Sequence, residues 1–452
     1  MTRAGTAALA VLVAAALAAP ARAAFAPPVQ LESGSTGFNL AADTDAAGFT
    51  TLLTTSGNHG PRLYEHAAGG SWSAATPLPD DPKGVAGPVV DAAGTGALGI
   101  AWRVDVPRHY AAIAVAMRDP GGTLGEPVQV AGPDAGGVRH PALAIDRAGD
   151  ALLAFHVDTS ATHLNRGGGI AIARRAAGGA FSKPAVVDRA VSSAPAVALG
   201  PDGTGIVAWT HDRGVYAVSV GADGRLGKVK RIASPGSVAS LVAATGPDGA
   251  ATLAWIGRHA VGKGPSARTR RDVQAIARAA GHAFAAIGTV ASTADFVRSV
   301  RLAADDGGRV TLAWSREHFG EDRSIGTRGI TSTVLATTAS AGERLPAPRT
   351  VASGGGLYRA QLALTAAAGR VAMTWGFQAN RNHFGVQAVV GRPAALGAPQ
   401  TLVSVPDQPS YGGLPSAVAT LAPSGVATVV YVESVGGAPA IPVVRLLAAD
   451  GS

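Results

Sequence analysis

One spacing recurs along this chain and constrains its fold more than any other feature. A glycine is followed six residues later by a large aromatic in Gly96/Trp102, Gly149/Phe155, Gly203/Trp209, Gly249/Trp255, Gly308/Trp314, Gly369/Trp375 and Gly425/Tyr431, with Gly48/Thr54 as a degenerate first copy. The eight glycines lie 48, 53, 54, 46, 59, 61 and 56 residues apart. A unit of this length cannot bury an apolar face by itself, so neighbouring copies must pack on one another.

Each copy holds four short runs, A to D. In the fourth they are APAVALG, TGIVAWT, VYAVSV and LGKVKRIA; in the third, HPALAID, ALLAFHVD, GIAIARR and FSKPAVVD. Runs of about five to eight residues bounded by Gly, Asp and Pro read as strands. The marker glycine follows the A–B turn, where positive φ is called for. The aromatic ends strand B and fills the space between sheets. Four strands per 46–61 residues, eight times over, predict an all-β chain folded as a single β-propeller of eight four-stranded blades. A seven-bladed ring with a divergent first copy and an open β-solenoid are the alternatives. The eighth copy stops after SAVATLA, GVATVVYVE and IPVVRLLAA, without a strand D. Residues 25–32 (FAPPVQLE) match strand D elsewhere, as in GEPVQVAG. The N-terminal strand is therefore expected to complete the last blade of one domain, 24–452, and so remove an exposed edge.

Composition agrees. Gly (60) and Pro (29) are too frequent for a helical bundle, and 47% apolar content with 15% charge is wrong for a disordered chain. The absence of cysteine excludes disulfides, thiolate metal sites and a cysteine nucleophile. Residues 1–23 have Arg3, an apolar core from Ala7 to Ala19, and Ala21-Arg22-Ala23 as a cleavage site, the pattern of a signal peptide. The expected compartment is secreted or periplasmic, and the expected state a monomer with no transmembrane segment. Loss of Arg3 and Arg22 takes the formal charge from +8 to +6.

The C–D turns AAGGSW (67–72), DPGGTL (119–124), AAGGAF (177–182) and AAGHAF (279–284) resemble degenerate Asp-box turns, S-x-D-x-G-x-T-W, of sialidase-like propellers. The D-x-x-G…A-W…G-G-x-F…P pattern also resembles secreted bacterial propeller-repeat proteins. The resemblance covers nearly the whole mature chain. It implies the fold and, by the sialidase likeness, an arginine trio from separate blades that holds a substrate carboxylate. No copy has the Ser or Thr and the Asp of a true box in place, and fold similarity does not transfer activity.

In a propeller the B–C and D–A connections share one face. The B–C connections read as long loops at 256–272, 315–329, 157–168 and 376–384. Seven of the eleven histidines fall in B–C connections: His59, His109, His163, His211, His259, His318 and His383. These connections carry thirteen Lys/Arg against seven Asp/Glu, so a positive rim is expected. Arg139, Arg298 and Arg359 stand ten residues before their marker glycines. A guanidinium trio from like positions suits a carboxylate, sulfate or phosphate. The bland reading is that these arginines end strands and pair with neighbours such as Asp134 and Asp295.

The chain lacks G-x-S-x-G, H-E-x-x-H and P-loop motifs, and no metal or cofactor is expected, because one histidine per blade spreads ligands around a wide rim. A sialidase-type hydrolase would draw on Tyr358 with Asp295 or Glu317, and a polysaccharide lyase on Arg and His. The densest basic run, Arg268-Thr269-Arg270-Arg271, lacks interleaved aromatics, which argues against nucleic acid. The preferred reading is a non-catalytic binding module. Its ligand is an acidic glycan or cell-envelope polymer, held by Arg139, Arg298, Arg359, His211, His259, His318 and His383. The alternative is an enzyme acting on an acidic sugar.

Overall fold

A computed structural model describes residues 25–31, 38–56, 60–78, 86–94, 96–104, 111–132, 137–158, 168–190, 193–261, 268–319, 330–355, 362–380, 383–405, 417–433 and 441–447. The segment 1–23, read as a signal peptide, lies outside them. Eight antiparallel sheets follow in chain order, each with strand order A-B-C-D. Blade 1, for example, is Phe38–Thr44, Thr50–Ser56, Arg62–His66 and Thr76–Pro77. Blade 7 has its strand D interrupted, as Ala395–Leu396 and Gln400–Val405.

Ring closure follows the expected route. Blade 8 takes its fourth strand from Val29–Gln30, which pairs with Val444 and Val443. Ala26 N–H and Leu31 N–H donate to the carbonyls of Leu446 and Pro442 at 2.6 and 3.2 Å. Strands A from all eight blades line one central cavity of about 430 Å³ near the A–B turns. At its mouth Arg147 of blade 3 reaches across to Asp306 of blade 6, with Nη2 to Oδ2 at 3.3 Å.

All eight marker glycines take positive φ, between 72° and 91°. The six-residue offset then places the aromatic inside. Trp102, Phe155, Trp209, Trp255, Trp314, Trp375 and Tyr431 are all buried. Each packs into the preceding blade: Trp255 meets Ile206 and Val215, and Trp375 meets Ala313 and Val334. Blade 1 has Thr54 at that position, also buried. Its contact with blade 8 is filled instead by Tyr64 of strand C, which packs with Leu52 of strand B on Val430 and Val444.

A second device fastens blades near the A–B turns. Arg118, Arg175 and Arg278 end strand C of blades 2, 3 and 5. Each donates to its own blade's marker-glycine carbonyl, Gly96, Gly149 or Gly249, at 3.0–3.2 Å. Each also reaches back one blade, to Glu65, Asp119 or Ser219. Arg175 grips both oxygens of Asp119 at 2.8 Å and holds that carboxyl below its ordinary value.

Candidate functional site

The sequence reading of 256–272 and 315–329 as loops is corrected by the structure. Strands B and C of blade 5 run Ala251–Val261 and Arg268–Arg278; those of blade 6 run Arg309–Phe319 and Ile330–Ser340. At 376–384 the strands reach Asn380 and resume at His383, whereas at 157–168 they reach Asp158 and resume at Gly168, and 159–167 lie outside the described residues. Arg258, His259, Arg270, Arg271, Asp272, Arg316, Glu317 and His318 therefore stand on paired strands with fixed neighbours.

That register builds a cluster between blades 5 and 6. Arg258 lies opposite Arg271, and His259 opposite Arg270. Like charges placed opposite one another cost stability. Strand A of blade 6, Phe296–Ala304, brings Phe296 and Arg298 alongside. Arg271 sits over the Phe296 ring, its Cζ 3.8 Å from the centroid, and Arg298 is 5.3 Å from it. Both are within cation–π range. Phe296 is 38% exposed although it is apolar. Burial, then the charges of Arg258 and Arg298, push the Arg271 pKa down.

The carboxylates nearby are engaged elsewhere. Arg298 Nε donates to Glu317 Oε2 at 2.9 Å, and Glu317 is 1% exposed. Asp295 accepts from His318 Nδ1 at 2.8 Å and faces Arg316 Nε at 3.5 Å. Asp272 contacts His259 Nε2 at 2.9 Å and accepts a short hydrogen bond from the Ser292 hydroxyl. Arg271 has the Asp295 carbonyl oxygen at 3.3 Å and the Phe296 ring, but no carboxylate partner among the described residues. Five arginines (258, 270, 271, 298, 316) thus meet three acids.

The other sequence-chosen residues distribute as follows. Arg139 lies on blade 3, three blades from Arg298; with Arg103 it bears on His140, whose pKa is lowered chiefly by burial and then by those two charges. Arg359 and Tyr358 lie outside the described residues, as do His59, His109 and His163. His383 opens strand C of blade 7, and its side chain is not described. His211 is held between Asp188, Nδ1 to Oδ2 at 3.4 Å, and Asp212, Nε2 to Oδ2 at 2.9 Å. Sequence reasoning singled out Arg298, His259 and His318 but missed Arg258 and Phe296 as partners. The signal available was the hairpin itself, in which Arg258 and Arg271 fall at mirrored positions.

No protein-family model matches this chain, and no curated protein does. Similar solved structures include an ulvan lyase, a polysaccharide lyase, at 12% identity over 78% of this chain and 93% of that one, with TM-score 0.47. They also include a Hadza microbial sialidase at 13% identity, covering 75% and 74%, with TM-score 0.38. A third is a protein of unknown function from Dyadobacter fermentans at 13% identity, covering 68% and 94%, with TM-score 0.37. Likeness at this level carries nothing about activity.

Proposed function

We propose that this chain is an exported, non-catalytic β-propeller that binds an anionic polymer, an acidic glycan or a cell-envelope polyanion, on its B–C face. The Asp-box-like turns and the 1–23 leader support export. The contact is the cluster around Phe296, with Arg271 and Arg258 presenting charge and Arg298 fixed behind them. The observation that carries this reading is Arg271: partly buried among like charges, on an aromatic ring, with no carboxylate partner among the described residues. Such a group gains most when an anion arrives, because a guanidinium fork donates paired hydrogen bonds. Glu317 is buried under Arg298 and serves to hold it rather than to transfer a proton.

The test is binding of polygalacturonate, chondroitin sulfate and neutral dextran to the mature chain at low and moderate salt. Both polyanions should bind, dextran should not, and raised salt should weaken binding through screening. Arg271→Ala should cut affinity at least about tenfold, roughly 1.4 kcal/mol, in line with the loss of one charge-assisted contact. Equal binding of dextran, or an unaltered R271A, would refute the reading. One feature favours a second reading: Asp295 orients His318 through Nδ1, as a general base is oriented. Turnover of either polyanion, lost in His318→Ala, would establish the lyase or hydrolase alternative.

A further inference from the structure

The fastening arginines of blades 2, 3 and 5 share one place in their sheets. Each lies opposite the residue two beyond its marker glycine: Arg118 opposite Leu98, Arg175 opposite Ala151 and Arg278 opposite Ala251. Blades 1, 4, 6 and 8 hold His66, Val220, Ala339 and Leu447 there, and blade 7 holds Gly391, opposite Val371. Blade 7 therefore has no side chain at this place to send back into blade 6. The residue that would receive one is Thr338. It stands opposite Thr311, three beyond the marker glycine, as Glu65 and Ser219 do in their own blades. With no arginine arriving, the Thr338 hydroxyl bonds to that of Thr311 in its own sheet at 2.9 Å.

What remains is a groove of about 440 Å³ between blades 6 and 7. That volume lies within the usual range of small-molecule sites. The groove sits near the A–B and C–D turns, at the other end of the blades from the Phe296 cluster. Arg309 opens strand B and Arg349 opens strand D of blade 6, while Pro393 and Ala394 form the C–D turn of blade 7. The floor is apolar: Ala336 and Met373 are buried in the packing between the two blades, and Leu396 lies beside them. A Cβ on Gly391 would meet the Ala395 carbonyl oxygen at 3.3 Å and Leu396 at 3.5 Å. The glycine thus keeps this side of the groove open.

The charges on the lining are unequal. Arg309 and Arg349 face the groove with Glu343 as the one acid among the described lining residues. Arg349 Nη1 crosses to blade 7 and donates to the Ala394 carbonyl at 3.1 Å. Its Nη2 is buried and has no hydrogen-bond partner among the described residues. An unpaired buried donor costs stability, and an acceptor brought beside it recovers that cost. Neither arginine is paired with a carboxylate among the described residues. Thr337 Oγ1 donates to the Pro346 carbonyl at 2.9 Å, which ties the strand C–D connection of blade 6 against its sheet.

We propose that this groove is a second ligand site, independent of the B–C cluster, and that it takes a small monocarboxylic acid with a short apolar chain. The carboxylate meets Arg349 and Arg309, because a guanidinium donates paired hydrogen bonds to such a group. The chain lies over Met373, Ala336 and Leu396, out of water. Glu343 opposes a second carboxylate, so a dicarboxylic acid of the same length is disfavoured.

The experiment is saturation-transfer NMR of octanoate, octylamine and octanedioate with the chain from residue 24, for wild type, Arg309→Ala, Arg349→Ala, Thr338→Phe and Arg271→Ala. Octanoate should bind wild type, octanedioate should bind more weakly, and octylamine should not bind. R309A and R349A should each weaken octanoate at least about tenfold, the loss of one charge-assisted hydrogen bond. T338F keeps both arginines but fills the groove, so it should lose octanoate. R271A should hold octanoate as wild type does, and R349A should hold polygalacturonate as wild type does, which separates this site from the B–C cluster. Equal binding of octylamine, or octanoate unaltered in R309A and T338F, would overturn the proposal. Loss of octanoate in R271A would overturn it too, by placing the acid on the B–C face. Arg309 is exposed, so R309A decides if R349A or T338F does not fold.

Discussion

Replacing Arg175 by methionine tests the inter-blade fastening at its best-formed example. Arg175 is 8% exposed and donates to both oxygens of Asp119 and to the Gly149 carbonyl. Removing one partner of a buried, hydrogen-bonded ion pair costs about 3–5 kcal/mol, largely because the other charge is left uncompensated. Here Asp119 is 36% exposed and regains water, so the figure must be discounted for screening, to about 2 kcal/mol. At about 2 cal/mol/K per residue for the entropy of unfolding, that lowers the melting temperature of a ring this size by about 2 °C. The assay is scanning calorimetry of wild type, R175M, D119N and the double variant at pH 7 and at descending pH. Asp119 is held below its ordinary value of 3.8, so its contribution is full above that pH and fades as the pH falls through the lowered value. The gap between wild type and R175M should close in acid. A cycle with no coupling between the two sites, or a gap that stays constant into acid, would refute the argument that this pair fastens blade 3 to blade 2.

Two further predictions concern the ring. A chain begun at residue 33 lacks the strand that pairs with Val443 and Val444, and it exposes the edge of Ile441–Leu447. It should aggregate at concentrations where the chain from residue 24 stays monodisperse by light scattering, and equal behaviour of the two would show that closure is not sealed there. Among marker glycines, Gly308→Ala adds a Cβ 2.9 Å from the Pro247 ring at φ +74°, whereas Gly369→Ala meets nothing within 4 Å at φ +73°. Left-handed backbone costs both variants about 1–2 kcal/mol, and only G308A adds a clash, so G308A should melt below G369A.

The eight-bladed ring is legible in the sequence because its determinants are local. A left-handed glycine and a buried aromatic six residues on recur with little change, and residues 25–32 resemble the strand they replace. Copy one is harder to place. Its filler, Tyr64, comes from strand C and has no counterpart offset in the other copies. The Arg258–Arg271 contact is hidden because Gly and charged residues in 256–272 look like a loop until the hairpin register pairs them. Arg298 stands out by its register alone, and its carboxylate is Glu317 rather than Asp295. Asp43 and Asp91 leave a readable mark, one offset in successive copies, but only the blade-to-blade packing shows that each carboxyl accepts from an amide of the next blade.

The Arg147–Asp306 contact has a consequence for traffic through the middle of the ring. Joining blades 3 and 6, it lays a bar across one end of the shaft. Both side chains are about half exposed, so salt and water weaken the bar, yet its two ends stand on tight turns that join strands A and B of their blades. A solute wider than the gaps beside it is turned back at this pole.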